Sequence, residues 1–514
     1  MVPSAVTKSE RSSKDEKRSV REDDTGGLLL WRSGRAPCSP ASVSHTKITA
    51  ATATSSVHSH NTSTPPTTVV FAPAHPRSNP RSQPVSDHPA PPASTEPDWV
   101  AHAVWWQVFP LGFTGAERES APLTHRLPHV ESWLDYLIDL GCNGLALGPV
   151  FTSSTHGYDT VDHLTVDPRL GDDADFDHLV AAARGKGVRI LLDGVFNHVG
   201  RDHPWVVDAL RDGPDSPAGQ RIRWSGDQPE SFEGHDILVA LNHRNVEVQD
   251  HVVDIMTHWL ARGADGWRLD AAYAVDPSFW AAVLPRVRAD HPDAWFVGEM
   301  IHGDYAAYVG KSGLDSVTQY ELWKATWSAL RDGNFFELAH ALGRHDALLP
   351  TFVPATFVGN HDVTRLATTL GDDRDVDIAT ALLFFVPGTP TVYYGDEQGF
   401  RGVKEDRVGG DDEIRPEFPA TPADLSPLGL PRYRVHQATI SLRRRFPWLR
   451  TATVDVETLT NTALTLRAAH DGTTLRLALN LGDDAVARPG GKVLASADGV
   501  ADTLPPHTWA VVQN

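Results

Sequence analysis

Hydrophobic and polar positions divide the chain into three textures, and the longest one carries the fold. From Val104 onward, short apolar runs alternate with stretches where apolar residues recur every three or four positions. Val104-Trp105-Trp106-Gln107-Val108-Phe109 is almost continuously apolar, the mark of a strand buried on both faces. A helical pattern follows at Val130, Trp133, Leu134, Leu137 and Ile138, and Gly141 is placed to end it. Gly144–Phe151 reads as the next strand. A helix near Phe176–Arg184 leads to a strand over Val188–Asp193, and a helix over Val248–Arg262 leads to Ala264–Asp270. Trp295–Glu299, Ala355–Asn360 and Thr391–Gly395 are further strands, and one more is expected near Leu314–Tyr320.

Strand–helix alternation of this length predicts a parallel sheet with right-handed crossovers. Eight units in one domain point to a closed barrel rather than an open doubly wound sheet. No glycine-rich phosphate fingerprint follows the first strand, which argues against a dinucleotide fold. The expected fold class is therefore α/β: a (β/α)8 TIM barrel with a small insert after the third strand and a C-terminal antiparallel β domain. The insert is read from a lapse in the alternation between Asn197 and Asn242, rich in Gly, Pro, Asp and Trp and too long for a loop. It is assigned to residues 199–242 within a barrel of residues 98–440. Short alternating runs at Thr451–Leu459, Ala463–Ala468, Thr474–Leu479 and Thr508–Val512 assign residues 441–514 to a β-sandwich domain.

The third texture is the segment 1–97. It passes from charged residues to Ser/Thr/Ala and then to ten prolines between Pro65 and Pro97. Such a segment buries too little apolar surface to offset its ordering entropy, so a disordered low-complexity tail is expected. It holds 11 basic against 8 acidic residues, whereas the rest holds 35 against 58. The formal charge of −20 argues against a nucleic-acid partner, which needs clustered cations. Cys38 and Cys142 make neither a disulfide framework nor a zinc site. No run reaches the roughly 18 apolar residues of a membrane span. No signal peptide is read at the N-terminus, so a cytoplasmic location and no membrane partner are expected.

In a parallel barrel, functional groups gather at the carboxyl ends of the strands. Those ends read Asp193 with Asn197-His198, Arg268 with Asp270, Glu299, and His361-Asp362, while His156-Gly157-Tyr158-Asp159 follows the second strand. Alternate strand residues share a face, so Arg268 and Asp270 point the same way, and the guanidinium is expected to keep the carboxylate ionised. Three carboxylates from three of these strands, Asp270, Glu299 and Asp362, with no metal set and no thiol, suit glycosidic bond cleavage. One carboxylate attacks or stabilises the anomeric carbon while another protonates the leaving oxygen.

DGVFNH (Asp193–His198), GWRLD (Gly266–Asp270), VGE (Val297–Glu299) and FVGNHD (Phe357–Asp362) resemble, in order, the four sequence regions of the α-amylase family, glycoside hydrolase family 13. Gly144–Phe151 and Gly388–Glu397 resemble its second- and eighth-strand motifs, and Leu238–Asn242 the motif closing its insert. The resemblance implies Asp270 as nucleophile, Glu299 as general acid/base and Asp362 as the third carboxylate. It implies Arg268 orienting Asp270, His198 and His361 on sugar hydroxyls, and Tyr158 stacked on the ring. Asp193 would be a structural partner, and Arg365, one turn beyond Asp362, would face the cleft. Double displacement with retained α-configuration would place the Asp270 and Glu299 carboxyls about 5–5.5 Å apart.

The substrate implied is an α-glucan oligosaccharide. The rival readings are a transglycosylase or isomerase of the trehalose-synthase kind and, more distantly, a non-catalytic carbohydrate-binding protein. Where many true α-amylases carry Ala-x-Lys-His after the nucleophile, this chain has Ala271-Ala272-Tyr273-Ala274. That departure argues against a starch-cleaving endo-enzyme and against the usual calcium site, although Asn197 is present; no other cofactor is implied. His156–Asp159 and the short insert point instead to the cyclomaltodextrinase, neopullulanase and oligo-glucosidase branches. The charged segment Phe400–Pro419, with Arg415, is expected on the rim of the pocket.

Overall fold

Eight parallel strands form a ring: Trp105–Val108, Gly144–Leu147, Arg189–Gly194, Gly266–Leu269, Trp295–Gly298, Ser316–Val317, Ala355–Phe357 and Thr389–Tyr393. Each pairs with the next in chain order, and the eighth returns to the first. A parallel bridge between Thr318 and Ala355 joins the sixth strand to the seventh and closes the barrel. The computed structural model describes residues 96–119 and 121–514. The expected disordered tail lies outside the described residues except for Glu96 and Pro97. Glu96 accepts a 2.6 Å bond from Arg450 Nη2, so the packed body begins before residue 98.

The barrel interior is filled by Trp105, Ala146, Leu191, Trp295, Val297 and Ala355. The Trp105 and Trp295 rings stack at 5.6 Å and 7°. Two indoles fit inside the ring because Gly144 stands beside Trp105 in the ladder, where a Cβ would lie 2.3 Å from the indole. Outside, the helices bury residues such as Leu137, Phe176, Trp259 and Val283 in a second, larger core. The helix expected around Val130–Asp139 is two pieces, Leu127–Glu131 and Leu134–Leu140, and Gly141 ends the second at φ 105°.

Two excursions rise from the carboxyl end of the barrel. One, absent from the sequence reading, is a hairpin of Phe151–Ser153 with Thr160–Val166, and it carries Tyr158. The other follows the third strand. It contains the helix Pro204–Asp212 and a three-stranded sheet built from His198–Gly200, Ser231–Phe232 and His235–Ala240. The helix Leu430–Arg445 runs through the boundary expected at residue 441. Beyond it lies a five-stranded antiparallel sheet ordered Asp455–Leu459, Ala463–His470, Thr473–Asn480, Thr508–Gln513, Lys492–Ser496. A two-stranded ribbon, Val486–Ala487 with Thr503–Leu504, accompanies it in place of a second full sheet.

Candidate active site

Strand register assembles the centre of the site. Arg268 lies opposite Asp193 on one side and Val297 on the other. One step further, Asp270 N donates to Gly194 O at 3.0 Å and Glu299 N donates to Leu269 O at 2.9 Å. Parallel pairing thus brings Asp193 and Arg268 level, with Asp270 and Glu299 just above them. Arg268 Nη1 donates to both Asp193 oxygens at 2.7 Å and to Asp270 Oδ1 at 3.2 Å. Its Nη2 forms an ion pair with Glu299 Oε1 at 2.8 Å. All four residues are at least nine-tenths buried, so each charge needs a partner.

One guanidinium shared among three carboxylates cannot hold all of them low. Burial pushes Asp270 well above the ordinary carboxylate range, Glu299 pushes it further, and Arg268 opposes without prevailing. The expectation that Arg268 keeps Asp270 readily ionised is corrected here: the guanidinium is divided, with Nη1 on Asp193 and Asp270 and Nη2 on Glu299. Ala271, held at φ 45°, turns its N–H onto Glu299 Oε2 at 3.0 Å. Tyr320 donates to Glu299 Oε1 at 3.1 Å, and Asn360 Nδ2 donates to the Tyr320 hydroxyl at 2.7 Å. Asn360 Oδ1 in turn accepts Asp362 N at 2.9 Å. A chain of bonds therefore connects Glu299 to the Asp362 backbone.

Asp362 faces a cationic corner. Burial works against its ionisation, but His361, Arg415 and Arg268 outweigh it and hold the carboxyl below its usual range. His361 Nε2 lies 3.0 Å from Asp362 Oδ2, and Arg415 Nη2 donates to Asp362 Oδ1 at 2.9 Å. Gln107, on the first barrel strand, bonds His361 Nδ1 at 3.2 Å. The His361 ring lies nearly parallel to the Tyr158 and Phe109 rings, at 5.5 Å and 6.0 Å, and those two rings are 6.5 Å from each other. The Tyr158 hydroxyl meets His361 Nε2 and donates to Asp193 Oδ2 at 3.1 Å. Tyr158 thus ties the hairpin after the second strand to the barrel mouth.

Two sequence-derived candidates sit behind this surface. His198 Nε2 bonds the Tyr158 carbonyl at 3.1 Å, its Nδ1 faces Asn197 Nδ2 at 3.1 Å, and its ring stacks on Phe232 at 4.7 Å. Burial pulls it down to about 3, so it is neutral. Arg365 was expected to face the cleft, and the structure corrects this. Its guanidinium is fully buried 4.1 Å over the Tyr393 ring and donates to Tyr394 O and Asp396 Oδ1 at 2.7 and 2.9 Å. Arg365 is the N-cap of the helix Leu366–Leu370, and its backbone N–H donates to Gly402 O; both fix it against the loop after the last strand.

The α-amylase catalytic-domain model matches this chain over residues 107–233 and 221–426, a span that contains every one of these groups. The chain belongs to the α-amylase family. A cyclomaltodextrinase of Geobacillus thermopakistaniensis (strain MAS1) is 33% identical over 351 residues, covering 62% of this chain and 58% of that protein. The intracellular maltogenic amylase of Bacillus subtilis (strain 168) is 31% identical over 344 residues, covering 60% and 57%. The chain therefore spans under three fifths of the length of these relatives. The acarbose-soaked crystal structure of a Nostoc punctiforme debranching enzyme superposes with a TM-score of 0.70 at 27% identity, covering 82% of this chain and all of that one. Within the α-amylase family these relatives lie in the branch to which His156–Asp159 pointed.

The Asn197 amide nitrogen faces His198 Nδ1 at 3.1 Å. Among the described residues, the groups of three or more His, Cys, Asp or Glu side chains with close ligand atoms are His125/Asp172/Asp175 and Asp372/Asp375/His507, both away from the barrel mouth's carboxylates. Gln107, Tyr320 and Asn360 escaped the sequence reading as site residues. Asn360 lay inside FVGNHD, and Gln107 was the one polar residue in an otherwise apolar strand; Tyr320 carried no signal. No helix among the described residues is long and apolar enough to cross a membrane.

Proposed function

We propose that this chain is a retaining glycoside hydrolase that cleaves α-glucosidic bonds in maltooligosaccharides or related α-glucans. The observation that supports it most is Arg268 shared among Asp193, Asp270 and Glu299, with Asp362 joined to Glu299 through Tyr320 and Asn360. In this reading Asp270 attacks the anomeric carbon and forms an ester as Glu299 gives its proton to the departing oxygen. Glu299 then takes a proton from water, the water oxygen attacks the same carbon, and the ester breaks with α-configuration retained.

The first step needs one proton on two carboxyls, an acid and an anion. Burial raises Asp270 first and Glu299 raises it further, so ionising both carboxyls together is costly. Asp362, ionised by His361 and Arg415, would bind ring hydroxyls and favour the distorted sugar. Tyr158 and His361 would line the pocket on the same side, and His198 would act by holding the Tyr158 backbone. No resident cofactor enters this reading. The name of the B. subtilis relative supports a cytoplasmic location.

The test is the protein incubated with maltose, isomaltose, trehalose, cyclodextrin and starch, with the product anomer followed by proton NMR. Early release of the α-anomer from an α-1,4 substrate is expected. Release of the β-anomer, or no turnover of any of the five, overturns the proposal.

A further inference from the structure

The loop that follows Asp270 departs from the family pattern, and the departure has a structural counterpart. Tyr273 occupies the position where the resemblance would place a lysine. Its hydroxyl donates to Glu233 Oε1 at 2.7 Å. Glu233 sits with Gly234 at the tip of the hairpin between Ser231–Phe232 and His235–Ala240, at φ 51° and 80°. Two consecutive left-handed residues make a tight two-residue turn that projects its side chain from the insert. The bond therefore spans two separate parts of the molecule, the insert and the loop after the fourth barrel strand.

Aromatic rings frame this bridge. Phe232 stacks on His198 and lies 6.4 Å from Tyr273, and Tyr273 lies 5.3 Å from His302. Tyr273 N donates to Glu299 O at 3.2 Å, and His302 follows Glu299 by three residues. The row thus stands on the general acid's side of the mouth. The opposite side is occupied by Asp362, His361 and Arg415, with the Arg415 guanidinium 4.4 Å over the Phe109 ring. A leaving oxygen must meet the general acid, so the Tyr273 side is where the departing part of the substrate lies. Half-buried Tyr273 bonded to a carboxylate is held in place, and its hydroxyl proton is retained because burial and Glu233 both oppose ionisation.

We infer that the Tyr273–Glu233 bridge is a specificity-determining wall that limits the leaving group to a single sugar ring. This inference rests on the proposed hydrolase reading. The bond joining the insert to the barrel stands where a longer leaving group would extend, and the row of Phe232, Tyr273 and His302 is what meets the first sugar.

The experiment uses reducing-end-labelled maltopentaose with the wild-type chain, Tyr273→Phe and Glu233→Gln. The fraction of label released in fragments longer than one ring is read at low conversion. The wild type is expected to release the label mainly as the monosaccharide. Both variants, which keep the side-chain shape and weaken one bond, are expected to raise the longer-fragment fraction by about fivefold. Predominantly long labelled fragments from the wild type overturn the inference. So does an unchanged pattern in either variant, because the bond needs both partners. Absence of turnover on every α-glucan sinks the hydrolase reading and this one with it, whereas turnover with an invariant pattern sinks only the wall.

Discussion

Arg268 Nη2 lies 2.8 Å from Glu299 Oε1, closer than Nη1 comes to Asp270 Oδ1 at 3.2 Å. The arginine of the fourth strand therefore serves the expected general acid at least as directly as the expected nucleophile. It leaves Asp270 the least compensated carboxyl of the cluster.

Asp270→Asn is expected to lower turnover by at least about a thousandfold, the scale of losing a covalent nucleophile. It is also expected to raise the melting temperature. The folded-state pKa of Asp270 is raised, so the ionised wild-type residue destabilises the fold once pH exceeds its unfolded value. The gain should be full at high pH and vanish below about pH 4, where the unfolded carboxyl is protonated too. Melting curves across pH check this; equal melting temperatures at neutral pH would contradict it.

Arg415→Ala removes a charge-assisted bond to Asp362 and an ion pair with Asp411. KM for maltose and maltotriose should rise about tenfold, the scale of one such bond. Gly112→Ala should act in the same direction, since its Cβ would lie 2.3 Å from the Arg415 carbonyl. Steady-state kinetics on maltose, maltotriose and starch decide, and unchanged values for Arg415→Ala would remove the rim segment from substrate binding.

Arg365→Met should leave KM unchanged and reduce stability. It strands Asp396, buried with one oxygen already unpartnered, without its cation. Breaking such a pair costs about 3–5 kcal/mol, readable as a fall in the urea midpoint. A raised KM at unchanged stability would return Arg365 to the cleft.

Gly144→Ala tests the barrel interior. The added methyl would meet the Trp105 indole at 2.3 Å, and overpacking of this kind costs about 1–3 kcal/mol. Calorimetry should show a lower melting temperature, with the Trp105–Trp295 stack perturbed in near-ultraviolet circular dichroism.

Much of this molecule is written locally. Apolar runs such as Trp105–Val108 are buried on both faces, so their periodicity alone announces a parallel barrel. The carboxyl ends of those runs display Asp193, Asp270, Glu299 and Asp362 wherever the sheet closes. Local pattern could not show how one cation is divided. Arg268 and Asp193 are 75 residues apart, and only strand register sets them face to face. Arg365 carries the same charge as Arg415 and lies closer in sequence to Asp362, yet the helix it caps points it into the core while the distant loop delivers Arg415. Tyr273 and Glu233 meet across 40 residues for the same reason. Periodicity and strand-end chemistry are properties of neighbours along the chain, and the sequence determined them. Partnership among buried charges depends on which distant segments close around them, and only the tertiary structure decided it.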